Sequence, residues 1–98
     1  MAKEVTRANI WVATVVDVAT DSTTITSKPC RLGGVYINTT LSAHALPIVD
    51  GTTTIFTIPA SAAAGTMYDF KGAKFNSSLI VDPNDSGTGN VTVLWDPL

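Results

Sequence analysis

Ninety-eight residues with a formal charge of −2 have room for one domain, and no run approaches the roughly 18 apolar residues of a membrane span. Charged residues make up only 14% of the chain and apolar ones 45%, against about 25% charged in an average soluble domain. Lys3, Arg7, Lys28, Arg31, Lys71 and Lys74 are scattered with acids between them, which speaks against a phosphate-binding patch and against nucleic acid as a partner.

A surface so poor in charge must be built largely from Thr, Ser, Ala and Gly, as suits a body partly covered by neighbours. Met1 to Arg7 contains no apolar signal core, so Sec-type export is not expected. The single Cys30 cannot close an internal disulfide, which fits synthesis in a reducing cytosol. Stability then has to come from packing or from oligomerisation.

In chain order, Ala8 to Thr20 is rich in β-branched residues and alternates with period two. Ile10, Val12, Val16 and Val18 fall on one face, and Trp11, Ala13 and Val15 on the other. With both faces apolar, this strand is expected to be covered on two sides, by the core and by a partner or an arm. Thr23 to Thr26 is a short strand expected to pair back across the turn Asp21-Ser22. Cys30 to Thr40 is the next strand, and Gly33-Gly34 within it implies a bulge or the close approach of another backbone.

Leu46 to Asp50 and Thr53 to Ile58 flank Asp50-Gly51, a hairpin signal. Ala60 to Ala64, between Pro59 and Gly65, is the one helix-friendly run, and it reads as a connection with at most a turn of helix. Met67 to Phe70 and Ala73 to Phe75 flank Lys71-Gly72, read as a second tight reversal. Leu79 to Asp82 leads into the loop Pro83 to Gly89. The last strand, Asn90 to Asp96, sends Val91, Val93 and Trp95 to one side and Thr92 and Asp96 to the other. About eight or nine short strands punctuated by Gly, Asp and Pro predict an all-β chain, a single-domain β-sandwich or jelly roll over 1–98. Residues 1–7 are set apart as an N-terminal arm.

Reactive chemistry is hard to assemble from these residues. His44 lies in a loop, with no nucleophile or orienting acid placed near it, and reads as a loop or interface histidine. Cys30 reads as a small buried apolar residue, and one His with one Cys falls short of a structural zinc site. The stretch Asp82-x-Asn84-x-Ser86-Gly87-x-x-Asn90 spaces oxygen side chains as a calcium loop would. It departs from that pattern at Pro83 and at Val93, which stands where the closing Glu belongs, and the same residues suit a wide hairpin loop. No metal site is expected; were there one, its ligands would be Asp82, Asn84, Asp85 and Ser86. No cofactor and no enzymatic activity are expected.

The Asn-x-Ser/Thr triplets at Asn38, Asn76, Asn84 and Asn90 are compositional in so Thr-rich a chain. Trp11, Tyr36, Tyr68 and Trp95 would make a sugar-binding platform if exposed together; the alternative is that they close the core.

From Arg31 onward the chain carries a familiar pattern. Its parts are Arg31-Leu32-Gly33-Gly34-Val35-Tyr36-Ile37-Asn38-Thr39, Thr54-Ile55-Phe56-Thr57-Ile58-Pro59-Ala60 and Ala64-Gly65-Thr66-Met67-Tyr68-Asp69-Phe70, then Phe75-Asn76-Ser77-Ser78-Leu79-Ile80-Val81 and Gly89-Asn90-Val91-Thr92-Val93-Leu94-Trp95. Together they resemble the small β-rich virion structural proteins of tailed bacteriophages, most of all the capsid decoration (cement) proteins. The likeness covers roughly two-thirds of the chain and leaves out its first thirty residues; it consists of strand and turn residues, not catalytic signatures.

The resemblance implies a protein made in the host cytoplasm that sits on the exterior of the virion head. There it would bridge subunits of the major capsid protein as a homo-oligomer, a trimer before other orders. The expected contact residues are Lys3, Arg7, Trp11 and Arg31. The alternatives are a receptor- or glycan-binding tip of a tail or head fibre, and a tail or baseplate adaptor.

Overall fold

A computed structural model describes residues 11–19, 22–83 and 86–98 of the chain. Eight strands run through them: β1 (Val12–Asp17), β2 (Thr23–Thr26), β3 (Cys30–Ile37), β4 (Leu46–Asp50), β5 (Thr53–Ile58), β6 (Met67–Phe75), β7 (Leu79–Val81) and β8 (Asn90–Pro97). They form two four-stranded antiparallel sheets, sheet A in the order β1-β8-β3-β6 and sheet B in the order β2-β7-β4-β5.

The pairings reveal how the chain is wound. First strand pairs with last, second with seventh, third with sixth and fourth with fifth, every pair antiparallel. A single long ribbon folded over on itself, with β8 also joined to β3 and β7 to β4, is the jelly-roll arrangement. The all-β sandwich read from strand spacing is the fold observed.

Alternation along the strands builds the core. Val16, Leu32, Val35, Ile37, Phe75, Val91 and Val93 point inward from sheet A, and Leu46, Ile48, Ile58, Leu79 and Val81 from sheet B; all are buried. Cys30 joins them with no exposed surface. Burial pushes its thiol pKa up, with the Asp50 charge adding, so it stays a neutral apolar filler.

Hydroxyl-rich loops are stitched to this frame. The Ser42 hydroxyl accepts from Thr88 N at 3.0 Å, Thr39 from Asn90 N at 2.9 Å and Thr40 from Ala64 N at 3.1 Å. At these three places loop backbone finds its partner in a neutral hydroxyl.

Three expectations need correcting. Thr23–Thr26 does not fold back on the strand before it but pairs with β7 in the other sheet, because its β-branched residues complete the ribbon and leave β8 to claim β1. Lys71-Gly72 is not a reversal: β6 runs unbroken from Met67 to Phe75, and the pair is a bulge with φ of 55° and 75°. Left-handed residues serve bulges as readily as turns, and here β3 continues opposite. The hairpin loop after β4 is Gly51-Thr52, one residue later than expected, since Asp50 still pairs with Thr53 and Gly51 takes the positive φ of 63° that such a turn requires. The run Ala60 to Ala64 is the connection expected, built of turns, with Ala62 buried and its carbonyl accepting from Leu41 N at 2.9 Å.

Candidate functional site

The outer face of sheet A is the surface on which most of the sequence signals converge. Gly33 marks a register break in β3 against both of its neighbours, as Gly-Gly within a strand predicts. What approaches there is a side chain. The Trp11 indole lies across Gly33, where a Cβ would meet its ring atoms at 3.0 Å, and its far edge reaches Gly72. Arg31 donates to the Gly72 carbonyl at 3.3 Å, so two of the expected contact residues, Trp11 and Arg31, meet around one bulge. Lys3 and Arg7, with the whole 1–7 arm, lie outside the described residues.

Gly34 does for Met67 what Gly33 does for Trp11. A Cβ at Gly34 would meet Met67 Cε at 3.1 Å and Sδ at 3.3 Å, so the thioether lies flat on the sheet. Register then aligns a row across all four strands: Val15 with Thr92, Thr92 with Tyr36, and Tyr36 with Met67. Val15, Tyr36 and Met67 are 66%, 41% and 47% exposed. Scattered apolar residues on a surface mean little, but a row in register on one face forms a patch. Ala13, Leu94 and Gly34 make the next row, ending at Asp69, and Arg31 stands between Asp96 and Lys74 beyond it. On the other flank Asn38 and Thr92 share a hydrogen bond of 2.9 Å. The result is a flat apolar strip with a polar rim. Thr92 and Met67 were missed as site residues, and Tyr36 was named only for a sugar platform; Gly34 beside Gly33 was the signal for a side chain lying flat.

Among the described residues the core covers one face of the first strand, and the arm expected over the other lies outside them. Val16 is buried, whereas Ala13 and Val15 on the opposite face are exposed.

The four aromatic residues of the sugar-platform alternative are not brought together. Trp11 and Tyr36 lie on the outer face of sheet A. Tyr68 and Trp95 turn inward against the core, and the Trp95 indole donates to the Thr14 hydroxyl at 3.0 Å. Tyr68 and Phe70 instead meet Phe56 of β5 at centroid distances of 5.8 and 5.4 Å, closing the side of the sandwich between β5 and β6.

His44 lines an open groove of about 310 Å³ with Ala45, Pro47, Asp82 and Pro83. Of the candidate calcium ligands, Asp82 and Ser86 are exposed and Asn84 and Asp85 lie outside the described residues. No group of three His, Cys, Asp or Glu able to hold a metal ion occurs among the described residues.

Asp50 is a structural feature that the sequence did not announce. Its carboxylate accepts from Asn76 N and Ser77 N at 2.9 Å each and from Ser78 N at 3.3 Å, while Gly51 N donates to the Ser78 hydroxyl at 3.0 Å. The hydrogen bond from Asn76, supported by those from Ser77 and Ser78, outweighs desolvation and holds the carboxyl below its usual pKa. This knot ties the β4–β5 turn to the β6–β7 turn.

Comparison of the chain with known protein families, with characterised proteins and with solved structures finds no match in any of the three.

Proposed function

We propose that this chain is a non-enzymatic virion structural protein that decorates the head of a tailed bacteriophage, seated on the major capsid protein through the outer face of sheet A. The observation that carries the seat is the in-register row Val15–Thr92–Tyr36–Met67, with the Met67 thioether lying over Gly34 and polar and charged residues along the rim. A flat apolar strip with a polar rim is the anatomy of a protein–protein contact. The phage head as its location rests on the resemblance of the strand and turn residues from Arg31 onward. On the head, many copies seated over adjoining subunits would add their contacts and hold the lattice against internal pressure.

The test is binding of the purified chain to heads assembled from its cognate major capsid protein. Saturable co-sedimentation is expected, with density on the outside of the head by electron microscopy. The double variant Tyr36→Asp, Met67→Asp, both at exposed positions, is expected to weaken binding by about tenfold or more. Failure to bind heads, or density at a fibre tip or on the tail, would replace this reading with one of those locations.

A further inference from the structure

Each sheet ends in two edge strands, β1 and β6 in sheet A and β2 and β5 in sheet B. An edge strand presents unpaired backbone N–H and C=O groups, and proteins guard such edges with bulges, short strands or charges. Three of these four edges are guarded. β2 has four residues and a register break between Thr24 and Thr26. β5 carries Ile55 as an extra residue against the Ile48–Val49 step. β6 is bulged at Lys71-Gly72 and bears Asp69, Lys71 and Lys74.

β1 has no such guard. Its six residues pair with β8 in unbroken register, with no proline and no charge before Asp17. Val12 and Val15 on it are exposed, and among the described residues no strand pairs with its other side.

We propose that β1 is a homotypic edge, pairing antiparallel with β1 of a second copy of this chain about a two-fold axis perpendicular to sheet A. Such an axis keeps the inward residues of both copies on one side, so each residue faces one of the same alternation. With the axis at Thr14, Val12 lies opposite Val16 of the other copy, Ala13 opposite Val15, and Thr14 opposite itself. These are β-branched and apolar pairs of the kind that stabilise a ladder. Asp17 then falls outside the ladder, opposite Trp11 rather than its own copy, so no like charges meet. That charge-free, self-matching register is the reason to name a second copy as the occupant. The two sheets A merge into one of eight strands, with both outer faces on the same side. If the outer face of sheet A is the capsid seat proposed above, the pair presents two seats at once.

The ladder is short, about 20 Å, which places the contact at the small end of specific interfaces and the expected dissociation constant in the micromolar range. Sedimentation of the purified chain with no particle present tests the pairing apart from any capsid role. A reversible monomer–dimer equilibrium is expected. Val15→Lys, which sets two lysines diagonally across the ladder at an exposed position, is expected to raise the dissociation constant about tenfold or more with an unchanged far-ultraviolet spectrum.

Under oxidation Thr14→Cys is expected to cross-link into dimers, whereas Thr57→Cys on the bulged β5 edge is not. Cys30, fully buried, stays out of the reaction. A monomer at every concentration, a trimer such as the family resemblance implies, or a Val15→Lys dimer as tight as the parent would overturn the proposal. Should Val15→Lys fail to fold, cross-linking at position 57 but not at 14 would overturn it as well.

Discussion

On the β5–β6 side of the sandwich, Phe56 reaches from sheet B to Tyr68 and Phe70 of sheet A, and both edge strands are bulged. On the opposite side β1 runs regular with no charge before Asp17 at its end, tied inward by Val16 and by the hydrogen bond from Trp95 to Thr14. The first side spends its aromatic residues and its backbone irregularities on closure, which leaves no straight ladder to extend. Among the described residues, the second keeps a straight strand whose outer edge pairs with no other strand and whose Val15 is exposed. A sandwich this small cannot bury all its apolar surface within itself, and the contrast marks where the remainder is displayed.

The largest effect should come from breaking the closed side. Phe56→Ala removes two aromatic contacts and is expected to lower the unfolding free energy by about 2 kcal/mol. That is less than the ~3–5 kcal/mol of a fully buried ring, because Phe56 is 38% exposed. Urea unfolding measures this, and a loss below about 0.5 kcal/mol would mean that the side is closed without Phe56.

Next comes the knot at Asp50. Asp50→Asn is expected to cost about 1 kcal/mol near neutral pH, a figure discounted for the carboxylate's access to solvent. Because the folded-state pKa of Asp50 is depressed, its contribution is fully present above the unfolded carboxyl value of about 3.9. It is lost as pH falls through the lower folded-state value. Stability measured through that acid window should fall more steeply for the parent than for Asp50→Asn; equal slopes would deny the knot its role.

The smallest effect belongs to the β1 side. Thr14→Val takes away the acceptor of the Trp95 indole and should lower the urea midpoint by the equivalent of about 0.5–1 kcal/mol. An unchanged midpoint would show that the bond contributes nothing to holding β1.

Legibility from sequence followed the range of the interactions. Thr23–Thr26, Leu46–Asp50 and Thr53–Ile58 were readable to the residue, because alternation and flanking turn residues are local signals. The inward turn of Val91, Val93 and Trp95 followed from the same alternation. The partner of Thr23–Thr26 was not readable, since its mate β7 lies more than fifty residues away. Lys71-Gly72 was misread because left-handed residues permit a bulge and a turn alike, and the continuing strand opposite decides between them. At the site, Trp11, Arg31 and the Gly33-Gly34 pair were legible as unusual residues, but their meeting around Gly72 was not. The Asp50 knot joins residues 26 to 28 positions apart, beyond the reach of any local pattern.

By itself, then, the sequence determined that the chain makes short strands with one strongly apolar face and turns at Gly, Asp and Pro, because backbone preference and side-chain alternation act over a few residues. Only the tertiary structure decided which strands became edges, which of those edges stayed straight, and which apolar side chains were left on the outside. Those outcomes depend on long-range pairing, in which each strand that finds a partner determines what remains uncovered on the next.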